Sequence, residues 1–487
     1  MKRSIPLWNG ILCALAVQAL AVPWAAAQAP DKIKPVSAAC LECHETWSAG
    51  RLELFTKSAH GRKSCLDCHT GMAEYPHTTA AASAYGACAK CHEDAAKGFL
   101  ASAHKAAAGR GVKAFQHECK ACHGEPHLIV KRLLVKEPMD TCSHCHGSKA
   151  MSTRLGLPTA VWKTYESSVH GQKRLLGSKR SPSCVDCHGA HRVTPPDSPG
   201  SELGLASRAQ VCAKCHKGAT PMFALTFSHD SVDAKNSPVA HSVSWVYSFL
   251  IVFTLLFFGT MIAMELVSLA LRRLLGKPIP HPHIDPEERF SRMQRLQHIV
   301  VIVTFVVLVM TGLPLLTGNL DSETKLVGMF GGVERAALVH RAAGTLMILA
   351  TLWHLFWLWG VRLRDELPTE MLPRPGDFFE FRDQLRTYLL VRDEYPKRAG
   401  KYGWIEKVEY WAFAWGLGVM GLTGLLLWFP VAASAWLPKG GLFVVQLVHG
   451  FEAILATASV FLWHFYQVHL KPGFFPMNWT WLTGREK

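Results

Sequence analysis

Free cysteine is nearly absent from this chain. Of its 15 cysteines, all but Cys13 sit in seven Cys-x-x-Cys-His motifs between residues 40 and 216. Acidic residues are also short, 37 Asp plus Glu against 52 Lys plus Arg, which leaves a formal charge of +15. Long apolar runs are missing from residues 30 to 240 and then dominate 242 to 470. Each absence excludes something. A disulfide framework gives no reason for a histidine after every cysteine pair, and a zinc site would gather four ligands from two motifs with that histidine equally unexplained. About 25 residues per motif is too little chain for an ordinary hydrophobic core.

The pairs are Cys40/Cys43, Cys65/Cys68, Cys88/Cys91, Cys119/Cys122, Cys142/Cys145, Cys184/Cys187 and Cys212/Cys215. They are followed by His44, His69, His92, His123, His146, His188 and His216. Two thiols at this spacing can form thioethers to both vinyl groups of one haem, and the adjacent imidazole reaches the iron as proximal ligand. Seven covalently bound c-type haems are therefore expected, with porphyrin supplying much of the buried apolar surface. Their propionates, roughly −14 if all are ionised, would about cancel the basic excess, so the charge balances cofactor and does not indicate nucleic acid.

The motif region repeats. Each unit reads Cys-x-x-Cys-His, then an aromatic and Ser-x-His or Ser-His, then a second motif and a further histidine. Units start at Cys40, Cys88 and Cys142, and a half unit at Cys212. They supply His60, His104, His170 and His229 after the serine element, and His77, His127 and His191 after the second motif. These seven are the expected distal ligands. His117, two residues before Cys119, competes with His127; His144 and His241 receive no role.

Lys2 and Arg3, the apolar stretch Ile11 to Val22 and Ala25-Ala26-Ala27 form a secretory signal over residues 1–27. A heptahaem domain over 30–240 then lies in the periplasm. Five apolar segments follow, Ser242 to Leu271, His298 to Leu316, Ala336 to Val361, Val408 to Pro430 and Leu442 to Val468, each long enough to cross a bilayer as a helix. The loops 272–297 and 362–407 carry 6 and 10 Lys plus Arg, against 2 in 317–335 and 1 in 431–441. That asymmetry predicts a multi-pass inner-membrane protein with a cytoplasmic C-terminus. The fold class is mostly α: a haem-packed domain with little regular structure, a first spanning helix at 242–271, a five-helix b-type bundle completed by 290–470, and a tail at 471–487.

Histidines inside spanning helices are costly and usually functional. His340 and His354 are 14 residues apart, and His449 and His464 are 15 apart. On a helix those separations span roughly 21 to 23 Å, the depths of two stacked haems. His298 shares the level of His354 and His464, and on geometry His354 rivals it.

The paired motifs resemble the periplasmic decahaem cytochromes of bacterial extracellular respiration, through Phe55, Ser58 and His60 and through Cys184 to His191. Residues 290–470 resemble the cytochrome b subunit of formate dehydrogenases and related hydrogenases, through Arg295-Leu-Gln-His298, Leu338-Val-His340-Arg341, Gly400-Lys401-Tyr402, Val448-His449 and Trp463-His464. That resemblance implies two b-type haems, the outer held by His340 and His449 and the inner by His298 and His464. It also implies exchange with a membrane quinone near the inner haem, where Lys401, Tyr402 and Glu406 are candidates, Glu406 as proton acceptor. The family tends to carry amide side chains where Gly403 and Glu406 stand.

The whole resembles the fused multihaem-c and dihaem-b quinol oxidoreductases of metal-reducing bacteria. It implies electron transfer between the quinol pool and periplasmic cytochromes or a periplasmic oxidoreductase subunit. The alternatives are a membrane-anchored reductase for nitrite, hydroxylamine or a sulfur oxyanion, a subunit returning electrons from a periplasmic dehydrogenase to quinone, and an electron store or sensor. No motif ends in lysine, the variant familiar at catalytic haems.

Overall fold

A computed structural model describes residues 36–44, 49–77, 84–109, 118–129, 137–158, 160–229, 233, 235–281, 288–317, 321–362, 369–398 and 400–485. The expected signal segment and His117 lie outside the described residues. The described residues are helical, and their one strand-like pairing is an isolated bridge between Glu288 and Arg485. The chain divides into two compact units, one of residues 1–93 and 116–132, the other of 94–115 and 133–487.

The first unit consists of short helices: Val36–Cys43, Ala49–Lys57, Cys65–Cys68, Ala84–Ala89, Lys120–His123 and a 3-10 turn at Pro126–Leu128. Among its described residues only Ser58 is buried. Protein side chains alone therefore build no apolar core here, as the low chain length per motif requires.

Local hydrogen bonds explain the repeat. The Ser58 amide donates to the Phe55 carbonyl at 2.9 Å, and the Ser58 hydroxyl accepts the His60 N–H at 3.2 Å. The same serine turn recurs in the second unit. The amides of Ser102 and Ser168 donate to the carbonyls of Phe99 and Tyr165, both at 3.0 Å. The serine hydroxyl then caps the short helix that carries the next histidine, accepting from Lys105 N–H at 3.2 Å and Gly171 N–H at 3.1 Å. Glycine follows His60 and His170 because a Cβ there would lie 2.2 Å from the Thr56 carbonyl and 2.0 Å from that of Tyr165.

The second unit holds the remaining motifs and the membrane domain. Its spanning helices are Pro238–Leu274, Arg292–Gly312, Val333–Arg362, Trp404–Trp428 and Gly441–Ser459, the last continued by π-helical stretches Val460–His464 and Tyr466–Leu470. These five are long and apolar enough to cross a membrane. An additional helix, Pro375–Tyr388, lies within a segment expected as loop. Buried Arg272 ties it to the first spanning helix, donating to Asp393 at 2.8 Å and to the Thr387 carbonyl at 3.1 Å. A second anchor is Lys407 Nζ, which donates to Asp377 at 2.6 Å. The C-terminal segment folds back: Arg295 donates to the Leu482 carbonyl at 2.6 Å, and the Arg289 amide to that of Gly484 at 2.8 Å.

Where the motif region meets the membrane domain, Leu176 packs with Val327, Val333 and Ala336 against Leu315 and Phe330. Ser178 donates to Glu334 at 2.8 Å, and Gln172 to the Leu316 carbonyl at 3.5 Å. Leu176 caps the helix Val169–Leu175 that carries His170, and Val333 and Ala336 begin the spanning helix that carries His340.

Candidate haem sites

Each motif is one helical turn. The amide of the terminal histidine donates to the carbonyl of the first cysteine, at 3.1 Å for His44, 2.8 Å for His69, 2.9 Å for His92, 3.0 Å for His123 and 2.8 Å for His216. A turn of helix brings residues i and i+3 or i+4 to one side, so both thiols and the imidazole face the same volume. In two motifs an aspartate stiffens the turn: Ser64 N–H donates to Asp67 at 2.9 Å and Ser183 N–H to Asp186 at 2.6 Å.

The second cysteines of the motifs differ in shelter, which their uniform spacing did not foretell. Cys122 is exposed, as are Cys43, Cys68, Cys91 and Cys215, whereas Cys145 is half-buried, as is Cys187. Cys122 is placed by its own turn, its amide donating to the Cys119 carbonyl at 3.3 Å. Cys145 lies in the helix Glu137–His146, and its carbonyl accepts the Ser148 N–H at 3.2 Å just beyond that helix.

Six motif histidines face a second imidazole. Within the first unit His44 stands 6.4 Å from His77, His92 6.1 Å from His60, and His69 5.9 Å from His127, centroid to centroid. Within the second, His146 stands 6.3 Å from His104, His216 6.1 Å from His170, and His188 6.2 Å from His229. The membrane domain repeats the arrangement, with His340 6.5 Å from His449 and His298 6.3 Å from His464. One iron between two imidazoles, with metal–nitrogen bonds of about 2 Å each, places ring centroids about 6.3 Å apart. All eight separations fit a haem iron held from both sides. His123 ends the turn Lys120–His123, and His191 lies against Gly98, where a Cβ would stand 3.2 Å from its own.

Second hydrogen bonds fix the ring tautomers. The Thr311 hydroxyl donates to the Val307 carbonyl at 2.6 Å, so towards His340 Nδ1, at 2.9 Å, it can only accept. Thr423 does the same, donating to Val419 at 2.7 Å and accepting His449 Nδ1–H at 2.8 Å. Thr164 donates to Ala160 at 2.8 Å and accepts His229 Nδ1–H at 3.1 Å. His77 Nδ1 donates to the Glu74 carbonyl at 2.8 Å, His127 Nδ1 to Glu125 at 2.7 Å and His464 Nδ1 to Glu409 at 2.9 Å. With the proton on Nδ1, Nε2 keeps its lone pair for a metal.

His354, the rival to His298, has no such lone pair to offer. Its Nδ1 donates to Gln297 at 2.9 Å, and its Nε2 accepts from the Tyr410 hydroxyl at 3.1 Å. Small residues let the helices approach the His340–His449 pair: a Cβ on Gly312 would stand 2.9 Å from His340 Cε1, and one on Gly424 3.4 Å from His449 Cε1. The fifth helix solves a register problem. Fifteen residues overshoot four α-helical turns by about 60°, and the wider π-helical stretch around His464 takes up the excess residue.

In the motif region, burial holds imidazoles neutral. It pushes His170 down to about 4, with His216 adding to the effect. It also lowers His104, His146, His188 and His216 below the usual histidine range. Neutral rings are what metal ligation requires.

Successive motifs are neighbours in space. In the first unit the Cys40 and Cys65 thiols meet, Cys68 lies beside Cys91, and Cys88 meets Cys119. In the second, Cys142 meets Cys184 and Cys187 lies beside Cys212.

Residues 112–217, which hold the last four motifs, match the family described as cytochrome c3. Residues 289–474, which hold the second to fifth spanning helices and both membrane imidazole pairs, match prokaryotic cytochrome b561. The chain is a fused multihaem c-type and b-type membrane cytochrome. No curated protein and no solved structure matches it. The fused cytochrome is a membrane-bound, multi-pass electron-transfer protein with b-type and c-type haem.

The quinone candidates stand at the start of the fourth spanning helix. Glu406 accepts from Arg289 at 2.9 Å and from the Gly403 N–H at 2.6 Å, which caps that helix. Arg289 also donates to the Lys401 carbonyl at 2.9 Å. Tyr402 is buried, with the Arg289 and Lys401 cations 5.7 and 5.9 Å from its ring centre, and burial raises its phenol. Sequence reasoning missed Thr311, Thr423, Glu409, Gln297 and Tyr410, although the dipeptide Thr-Gly recurs at 311–312 and 423–424.

Proposed function

We propose that this cytochrome oxidises a membrane quinol and delivers the electrons through two b-type and seven c-type haems to a periplasmic cytochrome or oxidoreductase. The observation that carries this reading is the seam at Leu176. Leu176, which caps the helix bearing His170, packs there on Val333 and Ala336 at the start of the helix bearing His340, which supports a path between the site of His170 and His216 and the outer b-type site. From it the motifs run back through Cys187 and Cys142 as spatial neighbours. Haem supplies reversible one-electron chemistry, and the polypeptide holds the irons in sequence.

Six motif histidines each face a second imidazole, which supports conduction over substrate reduction, since reduction needs an open iron position. The motif region is periplasmic in this reading and the side bearing His298 and His464 is cytoplasmic. Quinol meets the membrane domain there, beside Lys401, Tyr402 and Glu406, and the Arg289–Glu406 pair holds that segment in place.

Rapid mixing with menaquinol and ubiquinol analogues, following b and c absorption bands separately, tests the proposal. Reduction of b before c is expected. Reduction of c first, or no reduction by any quinol while dithionite reduces both, would overturn it. Unchanged quinol kinetics in Glu406→Gln would remove that carboxylate from the site.

A further inference from the structure

The two membrane sites differ in what supports their ligands. At the outer site both His340 and His449 donate to threonine hydroxyls, at 2.9 and 2.8 Å. At the inner site His464 donates to a carboxylate, Glu409 Oε2, at 2.9 Å. The other carboxylate oxygen, Glu409 Oε1, is buried and has no hydrogen-bond partner among the described residues. Within the described residues its side-chain hydrogen bond is to the His464 imidazole. A carboxylate behind a ligating histidine raises ligand basicity far more than a hydroxyl does. A more basic ligand stabilises the oxidised metal.

We propose that Glu409 is a positioning residue that makes the inner b-type site the lower-potential one of the pair, and so biases electrons from the quinol side towards the motif region. The inference rests on the ligand assignment and electron path of the proposed function. In such a transfer one iron would be oxidised as the other is reduced, with no bond made or broken.

Redox titration of the b absorption bands in full-length holoprotein tests it, on the wild type, Glu409→Gln, Glu409→Ser and Glu409→Asp. Two b components are expected in the wild type. Either uncharged variant should raise the lower-potential component and leave the upper one unmoved, shifting the electron distribution between the sites by about tenfold towards the inner one. Glu409→Asp should restore the wild-type separation. An unmoved lower component, or a shift confined to the upper one, would overturn the proposal. So would loss of the inner haem in both uncharged variants with retention in Glu409→Asp, since the carboxylate would then serve loading. His464→Ala separates the two levels of inference: if it keeps both b-haems, the ligand assignment itself fails.

Discussion

The motif region and the membrane domain fix the same object, an imidazole facing another across about 6.3 Å, by opposite means. In the motif region the geometry is local. One helical turn aligns two thiols and a histidine, a serine turn presents the next histidine, and in the first unit Ser58 is the one buried residue described. In the membrane domain nothing local suffices. His298, His340, His449 and His464 sit on three different helices, and Thr311, Thr423 and Glu409 on neighbouring ones orient three of the four. Covalent attachment allows a haem site with little protein packing around it, whereas a site without it is built from packing.

The contrast can be broken first at the seam. Replacing Cys212 and Cys215 with alanine should remove one c-type haem and strand the electrons: quinol should still reduce the b bands, while reduction of the remaining c bands falls at least about a hundredfold by rapid mixing, because the adjoining carrier is gone. Next in size is His449→Ala, which should lower b-haem content from two to one with the c content unchanged in a pyridine haemochrome assay; equal loss of both types would erase the distinction between the regions. Gly312→Ala follows. Its Cβ would press on His340 at 2.9 Å, so outer-haem occupancy should drop. Gly344→Ala, whose Cβ meets Leu308 at 3.8 Å, should leave it intact. Smallest is Ser168→Ala, which removes the cap at Gly171 N–H. It should cost about 1 kcal/mol in thermal unfolding of the holoprotein without altering haem content.

What could be read in advance follows the same division. The seven motifs, the four histidines after the serine element and the three after the second motif are short-range patterns, and six of those seven added histidines stand opposite a motif histidine. The shelter of each thiol was not readable: Cys122 and Cys145 hold the same place in their motifs, yet one is exposed and the other half-buried, because burial depends on which segments pack over the turn. The depth of the membrane histidines was legible from helical rise alone. The choice between His298 and His354 was not, because it depends on Gln297 and Tyr410 meeting His354 from two other helices. Glu409 was invisible for the same reason: 55 residues separate it from His464. Sequence position names Glu406 as a proton acceptor, whereas the buried arginine that holds it beside the helix N-terminus comes from a segment distant in the chain.

The widened turn at Val460–His464 has a bearing on spacing. Two carriers on an ordinary helix can be moved apart only in steps that also swing the lower one around the axis, so most insertions would carry His464 away from His298. A helix that can swell locally absorbs an added residue without that rotation. The vertical gap between the two imidazole pairs thereby becomes adjustable in increments finer than a whole turn, independently of which way His464 looks.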